Sequence, residues 1–258
     1  MAEILRVDSV AKSFAGVAAV TDASFEVEEH SITALIGPNG AGKTTTFNLV
    51  SGSLPVDQGS IRYDGRDITT RRAHQVARLG LMRTFQLPRV MVAMTVLDNL
   101  LLSSHRHPGE RLLGLLRPGA SRATEARARE RAGELLERVG LAAKVDEYGG
   151  ALSGGQRKLL ELARLLMARP RMVLLDEPLA GVNPTLGLRL MELIHQIRDE
   201  DGTTFLFIEH DIGAVMRNAD HVVVMAQGAV ISRGTPAEVR QDPAVVDAYL
   251  GSKRTVTP

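Results

Sequence analysis

Ile32-Thr33-Ala34-Leu35-Ile36 runs directly into Gly37-Pro38-Asn39-Gly40-Ala41-Gly42-Lys43-Thr44, an apolar, β-branched pentad followed by a glycine-punctuated loop that ends in lysine and threonine. A loop whose successive backbone N–H groups curl around one anion has no room for Cβ atoms at the tightest points. Glycine at positions 37, 40 and 42 therefore fits a phosphate cradle. Thr44 to Val50 carries no helix breaker, so the order is strand, loop and helix, the setting that the GxxxxGK[ST] pattern requires. In that setting Pro38, Asn39, Ala41 and Thr45 complete the nucleotide-binding loop. Lys43 reaches the β- and γ-phosphates, Thr44 ligates Mg²⁺, and the helix directs its positive end at the anion.

A nucleotide hydrolase needs a second element, and Val173-Leu174-Leu175-Asp176-Glu177-Pro178 supplies a strand that ends in two acids. Asp176 is placed to hold Mg²⁺ through water, opposite Thr44. Neighbouring residues on an extended backbone point to opposite sides, so Glu177 is expected to turn away from the metal and polarise the attacking water as general base. Ile208-Glu209-His210-Asp211 ends another β-rich run, and Met82-Arg83-Thr84-Phe85-Gln86 reads as a further strand closing on an amide. A lone histidine or glutamine at a strand end is commonplace, so His210 and Gln86 carry no assignment by themselves.

The rest of the chain arranges itself around these motifs. Before residue 36, short apolar runs alternate with turn residues, as in Ser24-Phe25-Glu26-Val27-Glu28, which reads as antiparallel strand material. Met172–Leu175, Thr203–Ile208 and Val222–Met225 read as parallel strands with crossover helices. Between Leu87 and Gly150 the texture is helical, broken at Pro108-Gly109 and Pro118-Gly119. The expected organisation is one domain: an α/β core over 1–86 and 151–258 with an N-terminal antiparallel β subdomain, and a helical subdomain inserted at 87–150 whose following helix continues to about 168. A helix over 122–139 interleaves arginine and glutamate, with Glu125/Arg129 and Glu134/Arg138 four apart, and reads as a solvated face. Gln227-Gly228 reads as a hairpin turn before short helices near 236–240 and 243–250. Leu87–Met94 is apolar yet broken by Pro88, which suits either ordinary core or a docking groove for a membrane subunit.

Composition narrows the possibilities. Of 258 residues 44% are hydrophobic and 24% charged, and the formal net charge is +1, so no global field draws the chain to nucleic acid or anionic lipid. No apolar stretch approaches the roughly 20 residues needed to span a bilayer, and the opening Met-Ala-Glu-Ile-Leu-Arg lacks signal-peptide features. The expected location is the cytoplasm. The absence of cysteine excludes disulfides, thiolate metal sites and cysteine nucleophiles. A GTPase would want Asn-Lys-X-Asp, and no asparagine here is followed by lysine.

Leu152-Ser153-Gly154-Gly155-Gln156, with Ser153 placed as N-cap of a helix over 154–168, completes a set that resembles the ATP-binding subunits of ABC transporters nearly end to end. The resemblance implies a P-loop NTPase fold and ATP with Mg²⁺ as cofactors. It also implies a head-to-tail dimer in which the cradle of one subunit faces Ser153, Gly154, Gly155 and Gln156 of the other. By the same resemblance Phe14 stacks on adenine, Gln86 senses Mg²⁺ and the attacking water, His210 is the switch at the γ-phosphate, and Gly181–Pro184 crosses the dimer interface. Many family members have aspartate where this chain has Asn183. Arg83-Thr84-Phe85-Gln86, Met94–Leu100, Ala180–Pro184, Ile208–Asp211 and Tyr249-Leu250-Gly251 are similar to the branched-chain amino-acid (Liv-type) importer ATPases. The implied partners are transmembrane permease subunits, a second identical or paralogous ATPase and an extracytoplasmic solute-binding protein, with no nucleic acid, and the implied location is peripheral on the inner face of the cell membrane. Gly154 departs from many Liv-type members and leaves related importers of urea, amides or small organic acids open, and a soluble ABC ATPase is the remaining alternative.

Overall fold

The computed structural model describes residues 2–84, 90–104 and 118–251, with side chains described outside 118–122 and 250–251. Two compact units divide the chain.

The first unit gathers Met1–Arg83, Arg171–Pro178 and Ile194–Pro258. Its strands are β1 (Glu3–Phe14), β2 (Val17–Glu28), β3 (Ile32–Ile36), β4 (Gln58–Tyr63), β5 (Arg66–Asp67), β6 (Leu81–Arg83), β7 (Met172–Asp176), β8 (Thr204–Ile208), β9 (His221–Ala226) and β10 (Ala229–Gly234). They form one sheet in the order β5-β4-β1-β2-β10-β9-β3-β8-β7-β6. The β9-β3-β8-β7-β6 part is parallel, and every residue of β3, β7 and β8 is buried. Continuous apolar runs are what strands with both faces covered require. β1, β2, β4 and β5 pair antiparallel, and Phe25 and Val27 both face the core, as their spacing implies. The β9–β10 hairpin turns on Gln227 (φ 50°) and Gly228 (φ 83°), the left-handed pair that a two-residue loop demands.

Helices α1 (Lys43–Val50) and α2 (Ala73–Arg78) also belong to this unit. The strand order matters for function. β3, β8 and β7 are neighbours, so Gly37, Glu209 and Glu177 follow the carboxyl ends of adjacent parallel strands, the edge where α/β sheets bind ligands.

The second unit gathers Thr84–Pro170 and Leu179–Leu193. It holds α3 (Val96–Leu102), α4 (Pro118–Arg138), α5 (Gly154–Leu166) and the start of α6 (Pro184–Asp201). Val96, Leu100, Leu135, Leu136, Leu159, Leu160 and Ala163 form its buried face. The first unit ends with α7 (Ile212–Asn218), α8 (Pro236–Gln241) and α9 (Pro243–Gly251).

Two expectations need correction. The strand expected to close on Gln86 ends at Arg83, because its ladder with β7 runs only from Leu81–Met172 to Arg83–Leu174. Residues 85–89, Gln86 among them, lie outside the described residues. The division at residue 151 is also too simple, since Leu179–Leu193 packs with the helical unit rather than with the sheet. Along α4, Glu125 and Arg129 pair at 3.1 Å as the spacing implies, and Arg131 pairs with Glu134 at 3.4 Å.

Candidate functional site

The loop between β3 and α1 is wound tightly by its glycines. Gly37 has φ 151°, and a Cβ there would run into the carbonyl oxygen of Met225. Gly42, the N-cap of α1, has φ 97°, and its Cβ would stand 2.6 Å from the carbonyl oxygen of Ala19. Both obstacles are backbone atoms, so neither can swing aside. Lys43 is buried and donates from Nζ to the carbonyl oxygens of Gly37 (2.8 Å) and Pro38 (2.9 Å). Burial lowers its pKa, and the nearby charges of Glu177 and Asp176 oppose that shift.

A cavity of about 450 Å³ opens over this loop, lined by Ala19, the run Asn39–Thr45, Glu177 and His210. Glu177 Oε1 and His210 Nε2 are 2.8 Å apart at its rim. Sequence reasoning expected Glu177 to diverge from Asp176 by simple strand alternation. Instead the chain leaves the strand at once: Glu177 has φ 50°, a left-handed conformation that costs a non-glycine residue roughly 1–2 kcal/mol. Its N–H is held by the carbonyl oxygen of Ile208 at 3.1 Å. Such strain is tolerated where the surroundings over-determine it, typically at a working site. Asp176 remains in the sheet with a fully buried side chain, and Arg83 donates to its Oδ2 at 2.9 Å. Arg83 escaped the sequence reading, since nothing local signals that β6 lies beside β7.

Phe14 ends β1 with 44% of its surface exposed, and Lys12 Nζ lies 5.7 Å from its ring centroid. It is not among the residues lining the cavity. Lys12 is itself held by Asp57 at 2.6 Å.

Ser153, Gly154, Gly155 and Gln156 belong to the second unit and open α5. Ser153 Oγ accepts from the N–H of Gln156 at 3.3 Å, while Gln156 Oε1 accepts from the N–H of Ser153 at 2.9 Å. This reciprocal box fixes the helix start and leaves Ser153 and Gly154 exposed. A Cβ at Gly155 would meet the Cδ2 end of the Leu186 side chain, which would have to shift to admit it. Asn183 Oδ1 accepts from the N–H of Leu186 at 2.9 Å and so caps α6, a role an aspartate would fill equally well.

In the same unit the exposed apolar residues Met91, Val92 and Met94 sit on a loop that is firmly tied down. Gly149 N–H donates to the carbonyl of Met94 (2.8 Å) and Gly150 N–H to that of Val92 (3.0 Å). Fully buried Asn99 accepts from Met91 N–H (2.8 Å) and donates to the carbonyls of Met91 (3.0 Å) and Thr95 (2.9 Å). Arg157, one turn into α5, donates to the carbonyl of Gly150 at 2.8 Å.

A glycine cradle at the end of β3, acids at the end of β7 and a serine-capped glycine helix start together define a P-loop ATPase of the ATP-binding-cassette kind, and this chain belongs to the ABC transporter family, whose profile matches residues 20–180. It is the ATP-binding, ATP-hydrolysing subunit type of that family. Residues 229–254 also match the profile described as branched-chain amino acid ATP-binding cassette transporter. Among similar proteins is the high-affinity branched-chain amino acid transport ATP-binding protein BraF of Pseudomonas aeruginosa, 44% identical over 96% of this chain and 98% of that protein. LivG of Salmonella typhimurium, of the same description, is 41% identical over 96% of this chain and 98% of its own length. Among solved structures, the ADP conformation of the ATP-binding cassette MJ1267 superposes with a TM-score of 0.81 at 35% identity, covering 97% of this chain and 100% of that one.

Proposed function

We propose that this subunit powers import of branched-chain amino acids through separate permease subunits, working as one half of a head-to-tail ATPase pair at the inner face of the membrane. The observation that carries the reading is the cradle joined to the Glu177–His210 pair across one 450 Å³ cavity. It gains its solute from the similarity to BraF and LivG over nearly the whole chain.

The chemistry follows from the residues. Lys43, now satisfied by two carbonyls, exchanges them for β- and γ-phosphate oxygens. Phe14 offers an exposed ring to adenine, and the N–H groups of Gly40 to Thr45 face the phosphates at the start of α1. Among the described residues no group of three or more His, Asp or Glu is arranged to hold a metal. The oxygen donors of Thr44 and Asp176 suit Mg²⁺, which binds through one or two protein oxygens and completes its shell with phosphate and water. When bound, Mg²⁺ neutralises charge on the transferred phosphate. Glu177 polarises the attacking water as general base, His210 orients that carboxylate and reaches the γ-phosphate, and Gln86 senses the occupied site. Ser153 to Gln156 present a positive helix end to the phosphate held by the other subunit. Among the described residues no helix is long and apolar enough to cross a membrane, so permease contact falls to exposed groups, and the Met91–Met94 loop is the surface we assign to it.

Co-expression with neighbouring membrane subunits tests the reading. A purified complex should hydrolyse ATP faster when a leucine-, isoleucine- or valine-loaded binding protein is added in proteoliposomes. Stimulation by urea or amide-loaded partners alone would redirect the solute assignment, and failure to associate with any membrane subunit would remove the transport reading.

A further inference from the structure

Arg83 closes β6 with its guanidinium turned inward, and three polar side chains hold it. One terminal nitrogen donates to Asp176 Oδ2 at 2.9 Å; the other donates to Asn48 Oδ1 at 2.6 Å and to Ser51 Oγ at 3.2 Å. Its central carbon stands 5.7 Å from the centroid of the Phe47 ring. Phe47 and Asn48 lie on α1 and Ser51 is its C-cap, so one side chain links the helix that opens with Lys43 and Thr44 to the strand that ends at Asp176.

Exposed ion pairs contribute little, but this one is different. The side chains are 12% and 0% exposed, and the planar fork is committed in two directions. Losing that partner would strip a charge-assisted bond from a buried carboxylate and make its charge costlier to keep. Arg83, Asn48, Ser51 and Asp176 all stand behind the residues that line the nucleotide cavity, so the arginine acts on the buried carboxylate and not on the nucleotide.

We propose that Arg83 is a positioning residue for ATP hydrolysis: it sets the Asp176 carboxylate in register with Thr44 by tying the end of β7 to α1, the helix that carries Thr44, and so builds the Mg²⁺ site from two separate elements. The inference rests on the reading of Asp176 as the Mg²⁺-side carboxylate. Outer partners of metal ligands typically control affinity by 10–100-fold. A lysine would supply the charge without the fork and cannot reach both Asp176 and Asn48 in the same way.

The test uses the full chain and needs no turnover. Calorimetry gives the ATP dissociation constant in EDTA and the Mg²⁺ midpoint of the ATP-saturated protein, for wild type, Arg83→Met, Arg83→Lys, Asn48→Ala and Asp176→Asn. Arg83→Met should raise the Mg²⁺ midpoint about tenfold while ATP affinity in EDTA stays within about twofold. Arg83→Lys should recover part of the loss, and Asn48→Ala should raise the midpoint about two- to threefold. An unchanged midpoint in folded Arg83→Met overturns the proposal, as does an equal loss of ATP affinity in EDTA, which would mark a merely structural role. If Arg83→Met does not fold, Arg83→Lys and Asn48→Ala decide, and unchanged midpoints in both overturn it. A shifted midpoint in Asp176→Asn with none in the arginine variants sinks this inference alone. No shift in Asp176→Asn sinks the reading of Asp176 and the inference with it.

Discussion

Replacing Asn99 by alanine should loosen the Met91–Met94 loop, and the cost can be worked bond by bond. The Met91 carbonyl would keep the N–H of Met94 at 3.1 Å, and the Thr95 carbonyl would keep the N–H of Asn99 at 3.0 Å. Met91 N–H would lose its 2.8 Å acceptor. One orphaned donor costs about 1–3 kcal/mol, and the secondary bonds to carbonyls add about 1 kcal/mol together, giving roughly 2–4 kcal/mol. Because the loop carries the exposed apolar side chains and is tied through Gly149 and Gly150 to the start of α5, the variant should also lose stimulation by permease subunits. Urea unfolding measures the first effect, and ATPase activity with and without the membrane subunits measures the second. Asn99→Leu keeps the branching and heavy-atom count, with bulkier methyl groups, and drops the bonds, so it should be destabilised like the alanine variant. Wild-type stability in either variant, within about 0.5 kcal/mol, would refute the clamp. Full stimulation despite the loss of stability would detach the clamp from coupling.

Two further outcomes follow from the electrostatics. Lys43→Met should weaken ATP binding on the order of 10²-fold by calorimetry, since charge-assisted bonds to phosphate are lost, yet leave the nucleotide-free protein as stable or more so, because burial already lowers the Lys43 pKa; unchanged ATP affinity would count against the cradle. Lys12, and then the Ser13 N–H, hold the Asp57 carboxyl below the usual carboxylate range, so its stabilising contribution is present above the unfolded value and is lost as pH falls through the lower folded one. The stability gap between wild type and Asp57→Asn, followed by urea midpoints, should therefore narrow below about pH 4, and a constant gap would show that the pair does not contribute through charge.

Features with a local period or motif were legible in the sequence. The pentad Ile32–Ile36 is β3, the loop after it is a glycine turn into α1, and Ser153 caps α5 as the Ser-x-x-Gln spacing implies. The hairpin at Gln227-Gly228 and the two helices after it were equally plain. What escaped depends on which strands become neighbours. Arg83 meets Asp176 only because β6 pairs with β7 across 88 intervening positions of chain, a placement no local pattern encodes. Strand alternation places Glu177 on an extended backbone, but a bond to Ile208 on the adjacent strand holds it left-handed, so it parts from Asp176 by leaving the strand. Nothing local singles out Asn99, and only the fold around it shows which carbonyls it serves.

Glu177→Gln offers the most direct check on the central claim that nucleotide is gripped by the cradle of one copy, covered by the Ser153 helix of another and cleaved with Glu177 as base. Light scattering of this variant with saturating Mg²⁺ and ATP should give twice the mass of the single chain, with bound ATP intact and turnover reduced to background. A single-chain mass at saturating ATP, or turnover at the wild-type rate, would contradict the account.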